Sequence, residues 1–390
     1  MTKISIIIPV FNTASYLDEC LKSVLNQTFT DFEIICVNDG SSDSSLDVLK
    51  NYQLKDNRIK VISQSNKGAG AARNVGIKYA KGDYILFLDS DDYITNHALS
   101  EVYDIAVSTS ADMVLFKLIN FDNETYETSK SNYFEMKFIK DIVGDNVFSW
   151  KNVKNRFFDI SITAPGKLIK TNLIKNIRFP EEIIFEDNVF FSKVLFKTKR
   201  LYFYDRYLYN RRLRDDSVTT SYYEHFIDCV TAYDLIESEI RKSGNYDYLA
   251  DQLFNRKCRD IFNRFSQLPN KFKKEYYDKT KENFLKNKNK LESEGTLKIC
   301  DEYSLNLFNS AINTRTYREF ELSVENYNLK LQLDKLRLDN QLLKRQHAKK
   351  IYKMETDYKQ QIESIKGSTS WKITRIFRVV ANFFRRIFSS

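Results

Sequence analysis

Residues 84–92 read YILFLDSDD, an apolar run followed at once by three carboxylates in four positions. Five apolar residues bounded by Gly82 and by charge predict a buried strand at 84–88. Because side chains alternate along a strand, Asp89 and Asp91 are expected to point the same way from its carboxyl end, where ligands bind in open α/β sheets. Carboxylates this close repel each other, and a bound cation relieves the repulsion. Taken alone, the stretch also fits a solvated acidic turn.

The segments around this strand alternate between strand and helix patterns. Strands are predicted at 4–10, 32–37, 59–63, 84–88 and 113–119, and helices at 14–27, 46–52 and 71–80. This order predicts the α/β class, with a doubly wound and mostly parallel sheet. A dinucleotide-binding fold would place G-x-G-x-x-G after the first strand, but the sequence there is PVFNT at 9–13, which argues against a Rossmann oxidoreductase.

Composition limits the class of protein. The chain has 390 residues, enough for two or three domains, and 29% of them are charged. Its apolar runs are shorter than the roughly 20 residues that span a bilayer, and its N-terminus does not resemble a signal peptide. Five cysteines without CxxC spacing favour free thiols in a reducing compartment, so we expect a cytoplasmic protein. A net charge of +9 is compatible with nucleic acid, phosphorylated substrates or an anionic membrane.

Polar or glycine-rich segments follow each of the first four predicted strands. They are PVFN at 9–12, VNDGSSD at 37–43, NKGAGAARN at 66–74 and DSDD at 89–92. In a parallel sheet all four meet at one edge. Together they resemble the nucleotide-sugar-binding half of family-2 glycosyltransferases, which have a GT-A fold. The resemblance is strong over residues 3–120 and continues more weakly to residue 220.

The resemblance implies a nucleotide-sugar site on these segments, formed by Pro9, Val10, Phe11, Asn12, Asp39, Lys67, Gly68, Arg73, Asp89 and Ser90. Phe11, where the family usually has Tyr, offers a flat face to a base. Asp39 can accept the imide N–H of uracil, and thymine fits as well, whereas purines and cytosine are less suited, so a UDP-sugar is the first expectation. Gly68 lets the backbone approach the nucleotide, although a plain loop-to-helix turn would also explain it. Lys67 and Arg73 supply positive charge.

The carboxylates after the fourth strand are the expected metal ligands. The resemblance implies that Asp91 binds a divalent ion held by the donor diphosphate, and that Asp89 faces the ribose or the metal. Oxygen ligands suit Mg²⁺ or Mn²⁺, and a chain with three His nearly excludes a histidine-built site. Such an ion neutralises the departing diphosphate.

A second acidic motif lies in IFEDNVF at 184–190 and resembles the Glu-Asp motif of these transferases. The resemblance implies that Asp187 is the base that deprotonates the acceptor hydroxyl, with Glu186 as the fallback. A carboxylate base acting in one displacement implies inversion at the anomeric carbon. An Asp just before a helix is also a common N-cap, which is the structural alternative.

Two further segments match the family. YLYNRR at 207–212 and DSVT at 216–219 resemble a segment that closes over the pyrophosphate. Asn210 stands where Arg is common, so either Arg211 or Arg212 makes that contact. APGKL at 164–168 also matches a segment near the acceptor, and its role here is open.

The C-terminal part has a different character. Residues 226–315 have helical patterns and are predicted to be a helical appendage. In 316–366 a leucine recurs every seven residues, at Leu322, Leu329, Leu336 and Leu343, with Asn326, Leu333, Asn340 and His347 four positions further on. This spacing predicts a short dimeric coiled coil, which Ile351, Tyr358 and Ile365 continue in a shifted register. A single solvated helix folding back on its own domain is the alternative.

The last segment, 367–390, is predicted to be a basic amphipathic helix. Its apolar residues are Ile373, Ile376, Phe377, Val380, Phe383, Phe384 and Ile387, and five Lys or Arg residues interrupt them. No acidic residue follows Glu363, which suits the anionic inner face of a membrane better than the protein's own core. Nucleic acid is not expected as a partner, because no basic-aromatic binding module occurs elsewhere.

These observations predict four domains: a GT-A domain at 1–225, with a donor half (1–120) and an acceptor half (121–225), then 226–315, 316–366 and 367–390. The expected activity is that of an inverting, metal-dependent hexosyltransferase. It would move a sugar from a UDP-sugar to a hydroxyl of a lipid-linked or growing glycan of the cell surface, because SWKIT at 370–374 resembles tails of bacterial polysaccharide transferases. A catalytically silent, coiled-coil interaction protein is the alternative. A nucleotidyltransferase would need a Gly-rich basic loop that 9–14 lacks.

Overall fold

A nine-stranded sheet forms the centre of the computed structural model, which describes residues 2–181, 183–214 and 223–387. The strands are β1 Ile4–Val10, β2 Phe32–Asp39, β3 Ile59–Gln64, β4 Tyr84–Phe87, β5 Tyr93–Ile94, β6 Met113–Asp122, β7 Thr128–Ser129, β8 Lys167–Lys170 and β9 Leu201–Leu213. The five predicted strands are confirmed, each with bounds within three residues of those expected.

The sheet has the order β3-β2-β1-β4-β8-β6-β9-β5, with β7 paired to β6. Strands β1 to β4 are mutually parallel, as the alternating pattern predicted. Strand β8 runs antiparallel to both of its neighbours, β4 and β6, while β9 is parallel to β6. The predicted mostly parallel α/β sheet is therefore confirmed, with antiparallel pairs that make it mixed, and its four parallel strands end at a common edge.

Helices cover both faces of the sheet. In the first part of the chain they are α1 Ala14–Leu25, α2 Ser45–Lys55, α3 Ala69–Tyr79, α4 Ala98–Ser108, α5 Asn132–Glu135, α6 Lys137–Val143, α7 Thr171–Ile174 and α8 Glu186–Lys197, with a 3-10 helix at Trp150–Asp159. Alternate side chains of β2 point to opposite faces. Ile34 belongs to the hydrophobic cluster that contains Leu17 of α1 and Leu49 of α2, and Ile35 belongs to a separate cluster with Ala72 of α3. The sheet is therefore doubly wound.

The remaining elements are helical. They are a short 3-10 helix at Tyr223–His225, then α9 Asp228–Lys242, α10 Tyr246–Gln267, α11 Asn270–Ser293, α12 Thr296–Ile299, α13 Glu302–Asn313, α14 Tyr317–Gly367 and α15 Thr369–Ile387. By its internal contacts the chain divides into two compact units, residues 1–320 and 321–390. The helices from α9 to α13 thus share one unit with the sheet.

The two C-terminal helices expose apolar side chains. The four heptad leucines of α14 are between 52% and 66% exposed, and Leu333 is 49% exposed. On α15 the exposed apolar residues are Ile373, Ile376, Phe377, Val379, Val380, Phe383 and Phe384. Among the described helices, none has the length and apolar character needed to cross a bilayer. All five cysteines are free thiols, and only Cys300 is partly exposed.

Candidate active site

A cleft of about 910 Å³ opens at the carboxyl ends of β1, β2 and β4. The sequence-predicted residues that line it are Pro9, Val10, Phe11, Asp39, Gly68, Arg73, Asp89, Ser90, Asp91, Glu186, Asp187, Arg211 and Arg212. Residues far apart in the chain therefore meet in one concave site. Two predicted residues, Asn12 and Lys67, are not among those that line it.

Asn12 holds a loop at the rim of the cleft. Its side-chain oxygen accepts hydrogen bonds from the backbone N–H groups of Ser42, at 2.8 Å, and Asp43, at 3.4 Å. Ser41 Oγ in turn accepts from the backbone N–H of Asn12 at 3.1 Å. These bonds tie the loop after β2 to the end of β1. Asn12 therefore positions the neighbouring Phe11, which is 38% exposed in the cleft.

Asp39 is buried at the end of β2 and organises the glycine-containing loop. Its carboxylate accepts from Gln64 Nε2 at 2.7 Å and from the backbone N–H groups of Lys67 at 2.9 Å and Gly68 at 2.8 Å. Lys67 thus contributes a backbone donor, and its side chain is exposed. Three internal bonds use three of the four or so acceptor positions of a carboxylate, which leaves capacity for a ligand donor.

Arg73 of α3 connects the two acidic motifs. Its guanidinium donates to Asp89 Oδ1 at 3.0 Å, to Glu186 Oε1 at 2.7 Å and to Asp187 Oδ1 at 3.0 Å. The side chain is only 6% exposed, and Nε has no hydrogen-bond partner in the described part of the chain. Burial opposes the charge of Arg73, but the three carboxylates outweigh it and raise its pKa. Arg73 therefore holds the carboxylates of both acidic motifs in fixed positions.

This contact needs a close approach between α3 and the segment before α8. A Cβ on Gly70 would lie 2.7 Å from the carbonyl oxygen of Pro180 and 3.0 Å from Cγ of Glu186. Such distances are shorter than side chains tolerate. Glycine at position 70 therefore allows the second acidic motif to reach Arg73.

The Glu186–Asp187 pair begins α8 and faces the cleft. Burial, with the charge of Asp187 second, raises the pKa of Glu186 to about 7. Burial also raises the pKa of Asp187, with Asp89 adding to the effect, while Arg73 and the Ala164 N–H oppose it. A carboxylate whose pKa approaches neutrality can accept a proton from a substrate and is typical of a catalytic base.

The APGKL segment holds Asp187 in place. The backbone N–H of Ala164 donates to Asp187 Oδ2 at 2.8 Å. Lys167 is buried beneath this turn, where its ammonium donates to the carbonyls of Thr163 and Pro165, and burial lowers its pKa to about 7. Gly166 has φ +79°, and a Cβ there would lie 2.3 Å from Leu118 Cδ1. The structure thus places the segment whose role the sequence left open directly behind the Asp187 carboxylate.

The acidic turn after β4 has internal partners that the motif did not reveal. Asp91 Oδ2 accepts from Arg214 Nε at 2.9 Å, and burial together with the charge of Asp89 raises the pKa of Asp91. Asp92 accepts from Tyr209 Oη at 2.6 Å and lies buried, which raises its pKa well above the usual range. Tyr209 belongs to the YLYNRR motif, so that motif supports the acidic turn as well as carrying arginines.

Arg211 and Arg212 have different environments. Arg212 is buried, donates to the carbonyl of Asp91 at 2.8 Å and pairs with Glu19. Arg211 makes one long contact, 3.5 Å to Asn120 Oδ1, and has no carboxylate partner in residues 2–181, 183–214 and 223–387. Of these two arginines, only Arg211 therefore lacks a carboxylate partner among the described residues. The predicted DSVT segment, 216–219, lies outside the described residues.

The charge around the cleft bears on a metal ion. Nine carboxylates and six arginines line it among the described residues, so an anionic diphosphate would meet net negative charge. Within the described ranges no group of three or more His, Cys, Asp or Glu side chains is arranged to hold a metal by itself. Ions such as Mg²⁺ are instead commonly bound by one or two carboxylates plus substrate phosphates. Asp89 and Asp91 fit that donor set.

Comparison with known proteins decides the family. Residues 5–162 match the family model for glycosyl transferase family 2. Over 240 residues the chain is 32% identical to glycosyltransferase GlyG of Streptococcus pneumoniae serotype 4, covering 60% of this chain and 77% of that protein. The chain belongs to glycosyl transferase family 2. This confirms the resemblance found in the four motifs.

Two further comparisons show similarity to a curated protein and to a solved structure. The chain is 39% identical over 206 residues to the poly(ribitol-phosphate) beta-glucosyltransferase of Bacillus spizizenii, covering 51% of this chain and 30% of that protein. The chain spans about a third of the length of two of the curated relatives it matches. The crystal structure of S. aureus TarS 1–349 in complex with UDP-GlcNAc has a TM-score of 0.66 at 22% identity, covering 84% of this chain and 92% of that one. This likeness confirms the predicted GT-A fold.

Proposed function

We propose that this protein is an inverting glycosyltransferase that moves a hexosyl group from a UDP-sugar to an acceptor hydroxyl. The observation that carries the proposal is the position of Glu186 and Asp187. Both line one cleft with Asp89 and Asp91, and Arg73 binds Asp89 and both members of the pair. A base and a diphosphate-binding turn facing one cavity are what single-displacement glycosyl transfer requires.

The donor would occupy the side of the cleft next to β1, β2 and β4. The half-exposed ring of Phe11 offers a stacking face for a base, and Asp39 retains an acceptor position for the uracil imide. The UDP-GlcNAc bound to TarS 1–349 supports this choice of donor class. We assign the diphosphate contact to Arg211, because its charge is unpaired whereas Arg212 is engaged by Glu19.

A divalent ion, Mg²⁺ or Mn²⁺, would be held by Asp89 and Asp91 and would neutralise the charge that develops on the departing diphosphate. The protein's own residues prepare that position. Arg73 holds one oxygen of Asp89, and Arg214 holds one oxygen of Asp91. Both carboxylates are thereby held in position at the turn after β4.

The chemical step assigned to the chain is a proton transfer. Asp187 accepts the proton of the acceptor hydroxyl while the hydroxyl oxygen forms a bond to the anomeric carbon. The bond between the anomeric carbon and the diphosphate oxygen breaks, its electron pair stays on that oxygen, and UDP leaves. Because the nucleophile enters opposite the leaving group and no enzyme nucleophile intervenes, the anomeric configuration inverts. Arg73 and the Ala164 N–H keep Asp187 aligned for this transfer.

The acceptor is proposed to be a lipid-linked or growing glycan of the cell surface. The name of the Bacillus spizizenii relative, a glucosyltransferase acting on poly(ribitol-phosphate), supports a polymeric acceptor. Helix α15 carries exposed apolar residues and an arginine-rich polar side, which suits the anionic inner leaflet. The exposed heptad leucines of α14 suit pairing with a second copy. We therefore propose a homodimer bound peripherally to the cytoplasmic face of the membrane.

The donor and metal roles are tested by thermal unfolding with a panel of nucleotide sugars, with and without Mn²⁺ or Mg²⁺. A donor present at a hundred times its Kd stabilises the native state by about 2.7 kcal/mol. We expect this for a UDP-sugar with the metal, and loss of the metal-dependent part in Asp91→Asn. The control is Asp83→Asn, since Asp83 pairs with Lys3 outside the cleft. Stabilisation by no nucleotide sugar, as a silent interaction protein would show, contradicts the proposal.

The membrane role is tested separately by sedimentation with vesicles. The full-length chain should bind vesicles containing anionic lipid and bind neutral ones weakly. Phe377→Asp combined with Phe383→Asp should abolish this binding, because both rings are exposed on α15. Leu285→Asp on α11 is the matched control, since that side chain is also exposed. Equal binding by the double variant and the wild type would exclude α15 as the anchor.

A further inference from the structure

One wall of the cleft comes from α10, which lies beyond the residues matched by the family model. The α10 residues lining the cleft are Arg256, Asp260, Asn263, Arg264 and Gln267. Their spacing of four, three, one and three positions places them on one face of the helix. This polar face therefore looks into the cavity that contains Asp187.

Arg264 differs from most other arginines of the cleft. Arg73, Arg212, Arg214 and Arg256 each form an ion pair with a carboxylate. Within the described parts of the chain, Arg264 has no carboxylate within ion-pair distance, and its one hydrogen bond is a 3.4 Å contact to Gln267 Oε1. A half-buried guanidinium with an unpaired charge is available to an anionic ligand.

Two aromatic rings hold the Arg264 guanidinium in place. Its Cζ lies 4.9 Å from the ring centroid of Phe185 and 5.2 Å from that of Phe226. Stacking on rings leaves the N–H edge of the planar fork available, and that edge matches the oxygens of a phosphate or carboxylate. The side chain is thus oriented before any ligand arrives, which lowers the entropic cost of binding.

The position of Arg264 indicates which substrate it contacts. Phe185 is the residue immediately before the Glu186–Asp187 pair, and its φ of +68° turns the chain into α8. The donor segments lie at the ends of β1, β2 and β4, and Arg211 serves the diphosphate in the proposed function. Arg264 contacts Phe185 and so lies on the side of the cleft that carries the Glu186–Asp187 pair, where the acceptor must approach.

We propose that Arg264 binds an anionic group, phosphate or carboxylate, on the acceptor, and that the enzyme thereby selects an anionic glycan. This inference rests on the proposed function. A guanidinium close to the base would fix an acceptor unit whose hydroxyl reaches Asp187. The selectivity then comes from a helix outside the donor-binding half of the fold.

Titration calorimetry of the full-length protein at saturating UDP tests the inference. The three probes each have three units: a glycerol phosphate trimer, a galacturonic acid trimer and neutral maltotriose. We expect at least one anionic trimer to bind tenfold or more tightly than maltotriose, with affinity that falls as salt rises. The phosphate and carboxylate trimers distinguish the two sources of negative charge.

Variants of Arg264 separate binding from structure. Arg264→Gln should lose at least tenfold of the affinity for the anionic trimer and its salt dependence, while UDP still stabilises the protein. Arg264→Lys keeps the charge and should recover part of the affinity. The control is Arg259→Gln on the same helix, because Arg259 is half exposed and pairs with Asp301 away from the cleft. It should bind like the wild type.

Two results would overturn the inference. One is equal affinity of the wild type for maltotriose and both anionic trimers, and the other is unchanged selectivity in Arg264→Gln. Failure of the proposed function would be recognised differently, as absence of any stabilisation by UDP or UDP-sugars in the wild type. The two ideas therefore fail in separate measurements.

Discussion

Replacing Arg73 by methionine should destabilise the protein in a pH-dependent manner. The guanidinium is buried and binds three carboxylates at 2.7 to 3.0 Å. Methionine fills similar space but leaves these carboxylates without a compensating charge. Breaking a buried ion pair in this way costs about 3–5 kcal/mol when the remaining charge is not neutralised.

At low pH the carboxyls become protonated, which removes the uncompensated negative charge. The pKa of Glu186 is already raised to about 7, and Arg73 is a group that lowers it, so the variant has a still higher value. A carboxyl whose pKa is higher in the folded than in the unfolded state binds more protons when folded, so stability falls as pH rises above the unfolded value. We therefore expect a larger loss at pH 8 than at pH 5.5.

Denaturant unfolding of the full-length chain at both pH values measures this difference. The control is Arg259→Met, because its exposed pair with Asp301 should contribute at most about 1 kcal/mol at either pH. The same loss for Arg73→Met at pH 5.5 and pH 8, or a loss no larger than that of the control, would refute the reasoning. Transfer should fall in parallel, since removing Arg73 raises the pKa of the proposed base, Asp187, further and so disfavours its ionised form.

Three further outcomes are expected. Gly166→Ala should destabilise the protein by about 1–3 kcal/mol and reduce transfer, because the added methyl group overpacks against β6. Gly244→Ala, the control, has a similar φ but open space around it and should keep its activity. Equal activity of the two variants would contradict the role of the turn. Tyr209→Phe should cost about 1–3 kcal/mol in thermal unfolding, because buried Asp92 loses a 2.6 Å donor. Leu336→Asp should shift the protein to monomers in sedimentation analysis, and an unchanged mass would exclude α14 pairing.

Much of the fold was predictable because its signals are local. Each parallel strand is an apolar run followed by a polar segment, and strand order together with right-handed crossovers brings those segments to one edge. The four motifs therefore predicted most of the cleft lining. Boundaries were less certain, since α3 begins two residues earlier and β6 ends three residues later than expected. Backbone hydrogen bonds determine those ends, and they cannot be read from a pattern of residue types.

The partners of the site residues were less predictable. Arg73 was interpreted as a positive charge for the nucleotide, and in the structure its donors are taken by three carboxylates. Lys67 contributes its backbone N–H and Asn12 its loop contacts. Arg264 gave no local signal at all, because an arginine at helical spacing is ordinary. Its importance depends on the packing of α10 beside Phe185, which only the tertiary structure contains.

The placement of α10 separates two kinds of specificity along the chain. Residues that would read the nucleotide lie between Pro9 and Asp91, whereas α10 belongs to the part after residue 225. Under the proposed role of α10, substitutions on that helix face would change the acceptor while the nucleotide-reading half stays unaltered. Such a division would let acceptor specificity evolve through a single helix, and it gives a protein engineer a short segment to randomise.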